Sequence, residues 1–211
     1  MNAALTCAVF LLALFPALAL AGTHEVWRFR VLLDGRAIGS HVYTVDANDG
    51  RRDVHSTARF DVKFLSFDAY TYVHDAHEQW KGGCLTAIDS RTDDDGTHLA
   101  VHGVQSAGLF DVVTPDGNAS LAGCVMSFAY WDPAILRAAK LLNAQTGEYV
   151  EVGVESLGED SIQVRGHAIS ARRYVLRAPA YRIDLWYSAD GDWVQLESVT
   201  TGGRTLRYLI Q

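Results

Sequence analysis

Apolar and polar residues alternate along most of this chain, and the period is two. Trp27, Phe29, Val31 and Leu33 fall on one face, with Arg28 and Arg30 on the other. Val150, Val152 and Val154 alternate with Glu151 and Glu155. Ile183, Leu185 and Tyr187 alternate with Asp184 and Ser188, and Leu206, Tyr208 and Ile210 with Arg207. Successive side chains of a β-strand point to opposite faces, so this pattern predicts half-buried antiparallel strands. Turn signals separate the runs. Asp34-Gly35, Asp49-Gly50, Asp95-Gly96, Asp116-Gly117, Asp190-Gly191 and Gly202-Gly203 read as hairpin turns. About a dozen strands fit, too many for one flat open sheet, which predicts a curved sheet, half-barrel or roll.

One segment departs from the alternation. Asp132-Pro133 offers an N-cap followed by a proline in the first helical turn. Ile135, Ala138, Ala139 and Leu142 then share a side, and Asn143 and Gly147 supply an end. The expectation is one short amphipathic α-helix over 133–142, lying on or plugging an otherwise all-β fold.

Residues 1–21 follow neither period. They carry no charged side chain, are dominated by Ala, Leu and Phe, break at Pro16 and end in Ala19-x-Ala21 before Gly22. An apolar run ending in small residues at an A-x-A site predicts a secretory signal peptide removed near Ala21/Gly22. No Lys or Arg stands in the n-region. The run is also nearly long enough to span a bilayer, so an uncleaved N-terminal anchor stays open as the alternative. The expected mature chain, 22–211, is a single β-rich domain in the periplasm. No later stretch is long and apolar enough for a transmembrane helix.

Charge narrows the partners. The net charge is −7, which argues against nucleic acid, since that requires a basic face. Removing the leader, with its Cys7, leaves Cys84 and Cys124. An even count in an oxidising compartment predicts that these two form a disulfide.

Chemistry-bearing motifs are few. His74-x-x-His77-Glu78 matches neither zinc-protease order, and residues three apart in a strand face opposite ways. His98 and His102 share a face but stand about 13 Å apart at 3.3 Å per residue. Asp93-Asp94-Asp95-Gly96 fails as a calcium loop, because the first and twelfth positions fall on Arg91 and His102. Nucleophile-elbow, P-loop and dinucleotide patterns are missing from the sequence. Asp132 and Glu78 are acids without a motif around them. No catalytic residue, metal ligand or cofactor is assigned.

The aromatic residues carry the functional leaning. Phe128, Tyr130 and Trp131 stand with Asp132 just before the expected helix, and Trp186 lies in an expected strand. These five are the candidate ligand-binding residues of an apolar groove, with Arg173 and Arg182 as candidate polar groups. Packing of the same aromatics in an ordinary core is the competing expectation.

The run Cys124-Val125-Met126-Ser127-Phe128-Ala129-Tyr130-Trp131-Asp132-Pro133 carries a resemblance. So do Leu141-Leu142-Asn143 with Thr146-Gly147, Leu185-Trp186-Tyr187 and the turn Asp190-Gly191-Asp192-Trp193. With these the chain resembles a family of exported bacterial proteins of unknown function, over essentially the whole of 22–211. The opening Val31-Leu32-Leu33-Asp34-Gly35 with Ile38-Gly39 is similar to the start of related periplasmic β-rich domains. The resemblance implies a periplasmic, antiparallel, half-barrel-like protein and brings no catalytic residues with it.

The functional expectation is an exported, non-enzymatic envelope protein that holds a lipid-like or other apolar small molecule in a curved-sheet groove. Two alternatives stay open. One is an interaction module that pairs a sheet edge with an envelope protein. The other is a hydrolase or isomerase whose pocket contains paired titratable groups.

Overall fold

The computed structural model describes residues 22–64 and 67–211. The expected signal peptide, 1–21, lies outside the described residues. Fifteen strands are present among them: β1 Thr23–Leu33, β2 Arg36–Asn48, β3 Arg51–Phe64, β4 Phe67–Lys81, β5 Cys84–Asp94, β6 Thr97–Ser106, β7 Leu109–Thr114, β8 Gly117–Ala122, β9 Lys140–Leu142, β10 Tyr149–Glu151, β11 Gly153–Val164, β12 His167–Arg177, β13 Arg182–Ser188, β14 Trp193–Val199 and β15 Thr205–Ile210. Thirteen form one antiparallel sheet in the order β11-β12-β13-β14-β15-β1-β2-β3-β4-β5-β6-β7-β8, and β9 and β10 pair separately. Every neighbour in the large sheet is also a neighbour in sequence, except where β15 pairs with β1. The all-β, antiparallel, curved-sheet expectation holds.

The turns follow from their residues. Asp34-Gly35, Asp49-Gly50 and Asp95-Gly96 each have positive φ at both positions, as the primed two-residue hairpin turn requires. Curvature comes from register shifts. One extra residue, without a cross-strand partner of its own, stands at Ile38 in β2 opposite β1, Ala69 in β4 opposite β3, Thr86 in β5 opposite β4, Leu157 in β11 opposite β12, and Val194 in β14 opposite β13. Such bulges bend a strand and increase its twist. Among the described residues no helix is long and apolar enough to cross a membrane.

The concave face is filled by the segment 123–152, which connects β8 to β11. A disulfide ties its start to β5, with Cys84 and Cys124 1.98 Å apart at sulfur and 5.1 Å at Cα. Leu85 then donates its N–H to the Val125 carbonyl at 2.8 Å, and Ser90 Oγ donates to the Ala144 carbonyl. The segment inserts Val125, Ala129, Trp131, Ile135, Leu141 and Leu142 among Phe29, Val31, Trp80, Ile88, Leu185 and Trp193.

This segment corrects the helix expectation. Pro133–Arg137 is one 3-10 turn, not the start of an α-helix over 133–142. Asp132 does cap it, Oδ1 accepting from the Ala134 N–H at 2.8 Å. The Ile135 carbonyl is then taken by the Ala138 N–H, and Ala138 is already extended. The chain continues as β9, where the adjacent Leu141 and Leu142 are both fully buried. A helix with one apolar stripe covers only one side of itself. A plug surrounded by sheet must bury both sides, so extended chain wins.

Candidate functional site

The inner face of β2–β5 is a grid whose rows can be read from the register. Across one row stand His41, Ala58, His74 and Thr92. The next holds Tyr43, Ser56, Ala76 and Ser90, and a third holds Val45, Val54, Glu78 and Ile88. The middle of this grid is made of small residues. The plug arches over Ser56 and Ala76 without filling the space above them. The result is an inner cavity of about 280 Å³. His41, His74, Glu78, Ser127, Phe128 and Tyr130 give it its character, with Tyr181 and Ile183 across from them.

Its polar groups are buried and paired. His41 Nε2 meets Ser56 Oγ at 2.7 Å, and Nδ1 meets Tyr208 Oη at 3.4 Å. His74 Nδ1 meets Thr92 Oγ1 at 2.8 Å. Trp80 Nε1 donates to Glu78 Oε2 at 3.0 Å. Among the described residues no buried side-chain nitrogen or oxygen lacks a partner. Burial disfavours charge on each of these groups. Desolvation, helped by His74, pushes the His41 imidazole down to about 3. Desolvation pushes His74 down to about 4, against the pull of Asp75. Both rings are therefore neutral at ordinary pH. Desolvation also pushes the Glu78 carboxyl up, outweighing hydrogen bonds from Ser127 and Trp80.

A second cavity of about 620 Å³ lies at one end of the roll and shares Tyr72 and Gln145 with the first. Leu33, Ile38, Phe60, Val62, Leu206 and Tyr208 give it an apolar wall. Its charged groups are already engaged. Arg204 donates to Asp34 Oδ2 at 2.7 Å and Tyr70 to Asp94 Oδ1 at 2.6 Å. Between the two spaces Tyr72 Oη donates to Gln145 Oε1 at 3.3 Å, and Gln145 Nε2 reaches Asp94 Oδ2 at 3.5 Å. This partition is made of side chains.

The five aromatic-cluster candidates separate. Phe128, Tyr130 and Trp131 line the inner cavity. Asp132 acts beside it, holding the 3-10 turn through Oδ1 and Arg52 Nη1 through Oδ2 at 2.6 Å. Arg52 in turn lies over the Trp131 ring, 5.0 Å from its centre, and Trp131 meets Trp80 edge-on at 5.5 Å. Trp186 is on the other face of the sheet, packed with Ile162, Ala171 and Val194 and bonded to Asp160 at 3.0 Å. Arg173 and Arg182 are also away from the cavity. Desolvation raises Asp184, but hydrogen bonds from Arg182 and Arg173 hold its carboxyl below its usual range.

No motif marks His41 or Ser56 as a site residue, and His74 stands in one, His74-x-x-His77-Glu78, that points to different chemistry. Their signal is phase. His41 falls in step with Tyr43 and Val45, and His74 and Glu78 in step with Ala76 and Trp80. A polar residue in an apolar phase is the mark of a buried polar site. His77, three residues after His74, is exposed on the opposite face.

The fold has a solved counterpart. It is similar to the crystal structure of a β-barrel-like protein of domain of unknown function DUF1849 from Brucella abortus. The TM-score is 0.67 at 11% identity, over 89% of this chain and 95% of that one. No curated protein sequence matches the chain. The sequence model of a domain of unknown function, DUF6134, matches residues 29–211, and the chain belongs to that family.

Proposed function

We propose that the protein is exported to the periplasm, with 1–21 removed, and there holds an amphipathic small molecule without transforming it. The single observation that carries the reading is the pair of adjoining cavities, one with an apolar wall of Leu33, Ile38, Phe60 and Leu206 and the other holding the buried polar groups His41, Ser56, His74 and Glu78. The apolar body of the ligand lies along Leu33, Ile38, Phe60 and Leu206 in the end cavity. Its polar end reaches past Tyr72 and Gln145 to His41, Ser56, His74 and Glu78. Both imidazoles are neutral, so the polar end is uncharged: a hydroxyl, amide or carbonyl, since a buried unpaired charge would be costly. A volume of 620 Å³ suits such a ligand, as small-molecule sites span roughly 300–1,000 Å³. The Cys84–Cys124 disulfide suits an oxidising compartment.

The test is native purification followed by mass spectrometry of co-extracted small molecules, with Ala76→Phe as the variant that fills the inner cavity. A co-purifying amphipathic molecule that is lost in the variant, with circular dichroism unchanged, is the expected result. Repeated recovery of none, together with no rise in Tm on adding medium-chain alcohols or amides, would overturn the reading. Protein from the periplasmic fraction should begin at Gly22.

An enzymatic reading, hydrolase or isomerase, has one observation in its favour: the raised carboxyl of Glu78 beside Ser127 on the cavity wall. It predicts that the bound molecule is converted on incubation and that Glu78→Gln stops this. The carrier reading predicts an unchanged molecule in both.

A further inference from the structure

The convex face of the sheet carries a second arrangement, unconnected with the cavities. In the β3–β4 register His55 stands directly opposite His77, and in the β4–β5 register His77 stands opposite Asp89. Asp89 stands opposite His102 on β6. Three imidazoles and a carboxylate thus form one line across four strands. His55 and His77 are stacked, with ring centres 4.0 Å apart and planes 15° from parallel. Asp75, two residues before His77 and on the same face, bridges the pair. Its Oδ2 meets His55 Nε2 at 2.9 Å, and its Oδ1 stands 3.9 Å from His77 Nε2.

We propose that His55, His77 and Asp75 form a surface site for a borderline transition-metal ion such as Zn²⁺ or Cu²⁺. One ligand atom from each lies within 4.8 Å of the others. Tetrahedral coordination with bonds near 2.0–2.2 Å places ligand atoms about 3.4 Å apart. Small rotations of three exposed side chains on rigid paired strands close that difference. Two imidazoles and one carboxylate are a donor set for Zn²⁺, Cu²⁺ or Ni²⁺, whereas Ca²⁺ and Mg²⁺ take oxygen. Water completes the fourth position. Thr57 Oγ1, 3.4 Å from Asp75 Oδ2, steadies the carboxylate, as outer partners of metal ligands do. Asp89, across from His77, favours a cation here, and the exposed Arg91 across from Asp75 is the opposing charge.

The other exposed histidines supply the control. His98 and His102 each sit beside one acid, Asp93 at 3.8 Å and Asp89 at 2.8 Å, with no second imidazole opposite. The experiment is calorimetric titration of the full mature protein, affinity tag removed, with Zn²⁺, and electron paramagnetic resonance with one equivalent of Cu²⁺. The expected result is one tight equivalent, weakened about tenfold or more in His55→Ala and in His77→Ala and unchanged in His98→Ala. The Cu²⁺ spectrum should show two nitrogen ligands in the parent and one in each single variant. All three substitutions are at exposed positions, and an unchanged Tm confirms the fold. Equal weakening by His98→Ala, unchanged affinity in the His55→Ala/His77→Ala double variant, or a one-nitrogen parent spectrum would overturn the site.

Discussion

Lowering the pH should destabilise this protein well before its surface carboxylates are neutralised, and His41 should be a main cause. The perturbation is acidification from pH 7 to pH 4.5, compared in the parent and in His41→Gln. The glutamine keeps hydrogen-bonding capacity toward Ser56 and Tyr208 but does not titrate. In the fold, desolvation and then His74 hold the His41 pKa at about 3, against 6.5 when solvated. Between those values the unfolded chain binds a proton that the folded chain refuses, so stability rises with pH across the window and falls on acidification. At 1.36 kcal/mol per pKa unit, the loss from His41 is about 2.5 kcal/mol between pH 7 and 4.5. Across the full window it approaches about 5 kcal/mol. His74, lowered to about 4, acts in the same direction. Glu78 acts in the opposite one: its raised pKa means the folded chain holds the proton more tightly, so acidification favours it. The assay is urea unfolding at a series of pH values, followed by tryptophan fluorescence with the disulfide intact. The parent should lose about 2.5 kcal/mol more than His41→Gln over this interval. Identical pH slopes in the two proteins, to within about 0.5 kcal/mol, would refute a buried neutral imidazole at this position.

Other substitutions probe the plug and the sheet. Trp131→Ala removes a buried ring that packs on Trp80 and under Arg52, and urea unfolding should show a loss of about 3–5 kcal/mol. Replacing Cys84 and Cys124 together with serine opens a cross-link of sequence separation 40, for which the chain-entropy relation gives about 4 kcal/mol. Free-thiol titration of the unreduced, denatured parent should find none. Gly103→Val places a side chain where even a Cβ would stand 2.6 Å from the buried Phe110 ring and 2.9 Å from Ile88, so a cost of about 1–3 kcal/mol is expected from thermal unfolding.

Much of the fold was legible because period and turn chemistry agree. Five of the six predicted turns fall between consecutive strands, the sixth, Asp116-Gly117, overlaps the first residue of β8, and Trp27, Phe29, Val31 and Leu33 are all buried on one face. Ala107-Gly108 and Arg165-Gly166 escaped notice, yet both residues of each have positive φ. Ala and Arg are unusual in that conformation, and only the glycine hinted at the turn. The 133–142 segment misled because its capping signal is real but short in reach. Asp132 caps a turn that tertiary burial of Leu141 and Leu142 then stops. The aromatic cluster pointed to the plug, and three of its members do face the inner cavity. His41, Ser56, His74 and Glu78 of that cavity come from β2, β3 and β4, and a linear sequence does not show which strands lie side by side. The same holds for His55 and His77, which meet only through strand pairing.

The non-sequential pairing in the large sheet, between β15 and β1, has a consequence for the order of folding. The strands before the plug and those after it are two hairpin meanders, each built from local contacts that close early. The β1–β15 seam joins the first strand of one meander to the last strand of the other, so it forms only when both meanders are available. Until then β1 presents an open row of backbone donors and acceptors, the condition in which a strand recruits a neighbouring copy. The last strand therefore acts as a clasp: it converts two short sheets into one and removes the exposed edge that the growing chain carries from its first strand onward. Loss of Thr205–Ile210 would leave β1 and β14 both unpaired along that seam, and aggregation through the freed edges is the failure this topology builds in.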